Sequence, residues 1–248
     1  MLSRRRYKYE EQEQLIPLIN EIRGDHPRMS ARDIYLKLQP GCMGRDQFEQ
    51  FCMDSGYRIK QLRNFRVTTN SLGVTRFPNL IKDLKLTGVN QVFVSDITYF
   101  DLGSDTRYLT FIMDLYNREI VGYSESDNLR TESTTLPALH RLIKERGRSN
   151  LKGAIIHSDG GGQYYCNEFK TLTKSLGMVN SMTEEKVYEN AHAERLNGII
   201  KNNYLYPYGP TNVTSLKRLL DKAVYMYNTG KPHKALGKLT PKEFKDTI

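Results

Sequence analysis

The chain has 248 residues, of which 38% are hydrophobic and 26% charged, and its formal net charge is +9 at pH 7. This composition is typical of a soluble globular protein. It contains no apolar run of the roughly 18–20 residues that a membrane helix needs, and the basic N-terminus lacks the apolar stretch of a signal peptide. Membrane and secreted proteins are therefore disfavoured.

The positive charge is concentrated at the two ends of the chain. Residues 1–70 hold 13 Lys and Arg against 9 Asp and Glu, and residues 195–248 hold 10 against 3, whereas residues 71–194 hold 14 against 16. Such ends are either ordinary solvated surface or surfaces that bind a polyanion, and a slightly acidic middle can hold divalent metal. Charge alone leaves both interpretations open.

Three helices are predicted in the N-terminal part, residues 1–66. Apolar periodicity predicts the first over 11–23, Ser30 is the predicted N-cap of the second, and the third is predicted to begin near Gly44. With the basic tail that follows (Arg58, Lys60, Arg63 and Arg66), this pattern resembles a small helix-turn-helix module that contacts DNA. Any three-helix packing domain would give the same pattern.

The three cysteines form no Cys-x-x-Cys pair, which indicates reduced thiols in a cytosolic protein. A zinc site made of His26, Cys42 and Cys52 is disfavoured, because a fourth ligand and the short paired spacings are missing.

A linker is predicted over residues 67–89, and the character of the sequence changes at Asn90. From there, alternating patterns predict strands over 91–100, 108–115, 120–126, 154–157 and 178–181, and helices over 134–146, 167–176 and 188–204. The order β-β-β-α-β-α-β-α with mixed strand directions predicts an α/β, ribonuclease H-like core with a five-stranded sheet over residues 90–204. Residues 205–248 are predicted to form a basic helical extension.

Three carboxylates lie in elements of this core where an unpaired acid is costly. Asp96 is in the middle of an apolar strand, Asp159 ends a strand just before three glycines, and Glu194 lies on a helix. Each alone could be a structural acid, an ordinary turn or part of a solvated helix face. Together they are the oxygen ligands that two Mg²⁺ ions need for in-line phosphoryl transfer.

A polar stripe is predicted around Glu194 on its helix. At about 100° per residue, Asn190, Asn197 and Lys201 lie near Glu194, while Leu196 lies on the far side. A carboxylate and a lysine on one stripe match a metal ligand next to a phosphate contact, although a solvated helix face would look the same.

The segments around these acids resemble the DDE transposases with a retroviral-integrase-type core, in particular the second-reading-frame product of the IS-three family of insertion sequences. The resembling segments are 92–99, 157–159, 188–195, 227–233 and 239–244. The resemblance implies that Asp96, Asp159 and Glu194 are the catalytic triad and bind two Mg²⁺ ions, for which Mn²⁺ can substitute. It implies that Lys201 contacts the DNA end. Further DNA contacts are predicted at Asn190, Arg195, Asn197, Lys231 and His233.

The chain departs from the family pattern at several positions. Phe93 stands where the family has Trp, and Lys231 replaces an Arg, which loses a bidentate phosphate contact. The interval from Asp159 to Glu194 is one residue shorter than usual, and the loop 183–187 is predicted to absorb the difference. Residues 27–32 only approximate the family's helix-turn-helix sequence. No departure removes a catalytic acid, so an active enzyme is predicted.

Three functions fit these observations to different degrees. A transposase would cleave the element's ends and transfer the freed 3′-hydroxyl to new DNA without a covalent protein–DNA intermediate. A ribonuclease H-like nuclease is disfavoured by the basic segment after Glu194, and a DNA-binding regulator with an inactive core is disfavoured by the presence of all three acids. The resemblance also implies a first-reading-frame helix-turn-helix partner made as a frameshift fusion, a homo-oligomer that holds two DNA ends, and a location in the bacterial cytoplasm at the nucleoid.

Overall fold

The computed structural model describes residues 2–59, 77–183 and 190–248, with side chains from residue 11 onward. Four sequence predictions lie wholly or partly outside these ranges. They are the basic tail beyond Arg58, the first part of the linker 67–89, the shortened loop 183–187 and the helix start at Tyr188.

A mixed five-stranded sheet forms the centre of the molecule. Its strands are β1 (Val92–Leu102), β2 (Asp105–Asp114), β3 (Ile120–Ser126), β4 (Ile155–Ser158) and β5 (Val179–Met182). They lie in the order β3-β2-β1-β4-β5; β1, β2 and β3 pair antiparallel, and β4 is parallel to both β1 and β5. This arrangement confirms the predicted fold class and places β1 in the middle of the sheet.

Helices cover both faces of the sheet, and further helices precede and follow the sheet in the chain. They are α1 (Leu2–Asp25), α2 (Ala31–Leu38), α3 (Arg45–Asp54), α4 (Thr135–Arg146), α5 (Gly162–Tyr165), α6 (Asn167–Ser175), α7 (Ala191–Ile200), α8 (Tyr206–Tyr208), α9 (Val213–Gly230) and α10 (Pro241–Lys245). No helix in the described part of the chain is both long and apolar enough to cross a membrane.

Alternation along β1 sends its side chains into two different hydrophobic clusters. Phe93 packs with α4 and α6 on one face, and Val92 and Val94 pack with α7 and α9 on the other. Leu216 and Leu220 of α9 are buried in the second cluster. The long helix of the predicted C-terminal extension, α9, therefore shares a hydrophobic core with the sheet.

The N-terminal helices have a small core of their own, in which Ile19, Ile34 and Phe48 are fully buried. The Ser30 hydroxyl accepts a hydrogen bond from the backbone N–H of Asp33 at 3.1 Å, which confirms Ser30 as the N-cap of α2. Helix α1 is longer than the predicted 11–23, because the polar residues 2–10 continue it without an apolar repeat that the sequence pattern could register.

These helices are joined to the C-terminal part of the chain by polar contacts. His26 Nδ1 lies 3.1 Å from the Tyr204 hydroxyl, and Lys37 Nζ donates to the Gly230 carbonyl at 2.9 Å. His26 is engaged with Tyr204, and Cys42 and Cys52 are free thiols.

Candidate active site

The register of the sheet places two of the predicted acids side by side. Ser95 of β1 pairs with Ser158 of the parallel strand β4, so the residues that follow them, Asp96 and Asp159, occupy neighbouring positions at the end of β4. Glu194 lies in the first turn of α7, which packs against β1. Sheet topology thus brings all three acids to one region.

The pKa directions of the acids show that they share an electrostatic environment. Burial, followed by the charges of Asp159 and Glu194, raises the pKa of Asp96 to about 8. Burial raises the pKa of Asp159, and burial followed by the charge of Asp159 raises the pKa of Glu194. Ionisation of all three is therefore unfavourable without a cation. Within the described ranges, no three His, Cys, Asp or Glu side chains form a ready-made metal site.

The polar stripe of α7 faces strand β1 rather than open solvent. Asn197 Nδ2 donates to Asp96 Oδ2 at 2.7 Å, and Asn190 Nδ2 donates to the Ser95 carbonyl at 3.0 Å. Lys201 Nζ donates to the Thr98 hydroxyl at 2.7 Å, and the whole Lys201 residue is only 8% exposed. These three side chains fix α7, and with it Glu194, against the strand that contains Asp96. Their predicted contacts with DNA stay predictions.

The helix that carries Glu194 changes its geometry at Lys201. The sequence predicts one continuous α-helix to about Tyr204, but Lys201–Leu205 form a π turn, after which α8 ends at Gly209. Single π turns in helices often mark functional regions. Here the turn begins at the residue bonded to β1 and ends near Tyr204, which contacts His26.

Tyr164, a buried residue that the sequence analysis missed, contacts the residue that precedes Asp96 on β1. The Tyr164 hydroxyl lies 2.9 Å from the Ser95 hydroxyl, which itself donates to the Phe111 carbonyl at 3.0 Å. The backbone N–H of Gly161 donates to Asp159 Oδ1 at 3.1 Å. A Cβ at Gly161 would lie 3.0 Å from that oxygen, which explains the glycine there. The only sequence signal for Tyr164 is its position just after the three glycines.

The remaining predicted site residues lie elsewhere. Arg195, Lys231 and His233 line a cavity of about 530 Å³. Arg118 and His192, which the sequence analysis did not single out, also line it. On the α7 wheel His192 and Arg195 lie away from the stripe of Glu194, Asn197 and Lys201. The predicted DNA contacts therefore form two groups on different sides of one helix.

Asp96→Asn is expected to stabilise the protein increasingly as the pH rises. The pKa of Asp96 is about 8 in the folded protein, against 3.8 for an unperturbed aspartate in the unfolded chain. The folded state therefore keeps a proton that the unfolded chain releases. The contribution of this proton to stability is fully present below pH 3.8 and is lost as the pH rises to about 8. Asparagine does not titrate, so the variant does not lose this stability as the pH rises. Thermal unfolding in metal-free buffer should show a Tm advantage that widens between about pH 5 and pH 8.5, and an advantage independent of pH would contradict the raised pKa.

Comparison with known proteins identifies relatives over most of the chain. The sequence matches the family described as Integrase core domain over residues 87–186, and a second family of the same description over residues 180–241. The uncharacterized 31 kDa protein of insertion element IS600 from Shigella sonnei is 31% identical over 208 residues, which cover 82% of this chain and 75% of that protein. The transposase InsF of insertion sequence IS3A from Escherichia coli (strain K12) is 27% identical over 199 residues, with coverage of 77% and 67%.

Solved structures show the same fold. The HTLV-2 integrase catalytic core domain in complex with magnesium superposes with a TM-score of 0.51 at 21% identity, covering 63% of this chain and 96% of that chain. The catalytic core domain of BIV integrase gives 0.50 at 16% identity, covering 64% and 95%. Together with the sequence relatives and the position of the three acids, these matches show that the chain belongs to the DDE transposases of insertion sequences, which have a retroviral-integrase-type core and are polynucleotidyl transferases.

Proposed function

We propose that this transposase cleaves the ends of its insertion sequence and joins the freed 3′-hydroxyl to new DNA by metal-dependent in-line phosphoryl transfer. The observation that supports this most directly is the placement of Asp96 and Asp159 on adjacent strands, with Glu194 held beside them by α7. Other elements of the core serve to fix this placement.

The three acids suit a hard divalent cation. All three donors are carboxylates, which are the ligands that Mg²⁺ prefers, and Mn²⁺ accepts the same set. Burial, followed by repulsion from Asp159 and Glu194, raises the pKa of Asp96, and a bound cation relieves both penalties. Asp96, Asp159 and Glu194 would hold two ions. When bound, these ions supply activation of the attacking oxygen and stabilisation of the leaving oxygen.

The surrounding residues orient the acids before any ion arrives. Asn197 donates to one oxygen of Asp96, and the Gly161 N–H donates to one oxygen of Asp159, so neighbouring groups orient both carboxylates. Lys201 anchors α7 to β1 and its positive charge opposes the rise in the pKa of Asp96. Preorganisation of this kind reduces the rearrangement needed when substrate binds.

The active assembly belongs to the same proposal. We propose an oligomer that holds two DNA ends, a first-reading-frame helix-turn-helix partner supplied as a frameshift fusion, and a location in the bacterial cytoplasm at the nucleoid. Two kinds of relative support this view. InsF is named as a transposase of an insertion sequence, and a fold neighbour with a TM-score of 0.50 is an integrase in the simian T-cell lymphotropic virus intasome.

A strand-transfer assay with a pre-cleaved end separates this function from hydrolysis alone. The purified chain, with its upstream frame supplied, is incubated with a duplex of the element's end and a plasmid target. Joined products are expected in Mg²⁺, none in EDTA, and none from a donor whose terminal 3′-hydroxyl is replaced by hydrogen. Shortening of both donors without joining would indicate a nuclease, and joining that persists without divalent metal would contradict the proposed mechanism.

A further inference from the structure

A cavity of about 530 Å³ lies on the side of α7 away from the catalytic acids. Four separate parts of the chain form its polar lining: helix α2 with Asp33, the turn between β2 and β3 with Arg118, helix α7 with His192 and Arg195, and the segment that follows α9. Because α7 contributes to both, the cavity and the acids are rigidly related to each other.

The lining of this cavity is strongly cationic. Its cationic side chains are Arg118, Arg195, Lys231, Lys234 and Lys238. Asp33 is the single carboxylate in the lining, and it already pairs with Lys238 at 3.3 Å. The lining therefore has an excess of four positive charges that no lining acid neutralises.

Lys231 is the member of this group whose situation is most unusual. Its side chain is largely enclosed, and burial lowers its pKa despite the nearby charge of Asp33. In residues 11–59, 77–183 and 190–248, no hydrogen bond or ion pair is made by its ammonium. A half-buried ammonium that no acid of the described residues pairs with leaves its positive charge available to an anionic ligand.

His233 is a lining residue that lies close to several of these cationic side chains. Burial, followed by the charges of Lys231, Arg118 and Arg195, lowers its pKa to about 3, so the imidazole is neutral at physiological pH. Its Nε2 is buried and has no hydrogen-bond partner among the described side chains and backbone. Arg118 is held in place by a 2.9 Å contact between its Nη1 and His192 Nδ1. The cavity thus combines a positive potential with an unused polar atom.

We propose that this cavity binds one phosphate group of DNA, at a site separate from the catalytic acids. Two guanidinium groups and an unpaired ammonium suit the tetrahedral, multiply charged oxygen cluster of a phosphate better than a single carboxylate. The choice of DNA as the source rests on the proposed function. Since Arg195 directly follows Glu194, a strand held here would be positioned relative to the catalytic acids by one helix.

The absence of tryptophan from the chain allows a local test. Ala235→Trp introduces a single fluorophore at an exposed position in the cavity lining. In the full chain, with EDTA and at constant ionic strength, titration with pyrophosphate is expected to change the emission saturably, and a short DNA duplex is expected to compete. In this background Lys231→Gln and Arg118→Gln should each weaken pyrophosphate about tenfold or more. Lys242→Gln, a matched change at an exposed lysine of α10, should have little effect.

Several results would overturn the proposal. One is the lack of any emission change, and another is a change that both cavity variants leave intact. Pyrophosphate binding without competition by the duplex would show a site for a small phosphate compound, and a response to polyglutamate alone would show a site for an acidic protein.

Separate controls distinguish weaker binding from a loss of folding or of catalysis. Lys231→Gln removes an unpaired, partly buried charge, so its Tm should be unchanged or higher, and weaker binding then cannot be attributed to unfolding. The titration needs neither metal nor the element's ends. An enzyme that binds pyrophosphate here but joins no DNA would count only against the proposed function, and the reverse result would count only against this cavity.

Discussion

Replacing Glu194 with glutamine is expected to lower the rate of strand transfer by about three orders of magnitude or more, while the protein folds and binds DNA as before. The substitution keeps the size of the side chain and removes its charge, so the proposed metal ligand is lost without a change in packing. Glu194 is exposed in the first turn of α7, and the described residues show no hydrogen bond that its loss would break. A factor of about a thousand corresponds to ~4 kcal/mol of transition-state stabilisation.

The measurement is single-turnover joining of pre-cleaved ends, with a gel-shift titration of the same duplex to verify binding. Asp159→Asn should give the same loss. Glu145→Gln is the matched control, because it makes the same chemical change at an exposed position of α4, outside the candidate site. If Glu194→Gln retained more than about a tenth of the wild-type rate, Glu194 would not be a metal ligand.

Gly122→Ala is expected to be strongly destabilising, with a loss of about 3 kcal/mol or more in the free energy of unfolding. Gly122 lies in β3 under α4, and a Cβ there would come within 2.4 Å of the Ala138 carbonyl oxygen and 3.1 Å of Ile112 Cδ1. The closer neighbour is backbone in the middle of a helix, so no side-chain rotation can relieve the clash. Helix α4 would have to move off the sheet, which disturbs the fully buried Leu139 and Leu142.

Urea unfolding followed by circular dichroism measures this effect. Gly88→Ala is the control, because it is the same chemical change and a Cβ at Gly88 meets no atom within 4 Å. Its stability should be within about 0.5 kcal/mol of wild type. Equal stability of the two variants would show that α4 does not pack closely on β3.

The sheet could be predicted from the sequence because its apolar runs are long and well separated. β3 begins and ends at the predicted residues 120 and 126, and β1 exceeds its prediction at the C-terminal end by only two residues, since Gly103 makes the turn to β2. Asp96 could be noticed because an acid interrupts such a run. The pairing of Ser95 with Ser158, which sets Asp96 beside Asp159, is a long-range register that local patterns do not contain.

Other features of the site were beyond local patterns for a different reason. A helical wheel gives the direction of Asn197 and Lys201 but not what they meet, so a stripe bonded to β1 and a solvated stripe look alike. The π turn at Lys201 has no recognised sequence signal. The local sequence around Arg118 does not indicate a cavity, because the other lining residues come from distant parts of the chain that fold onto it.

The position of β1 between partners from distant parts of the chain has a consequence for the order of biosynthesis. β1 is complete at residue 102, but Asn197, which holds Asp96, is 101 positions later than its partner, and α9, which covers the same face of the sheet, ends at Gly230. A ribosome must therefore release nearly the whole polypeptide before the three acids can be held together. A nascent or truncated chain that lacks α9 would leave the apolar face of β1 uncovered and the acids unassembled.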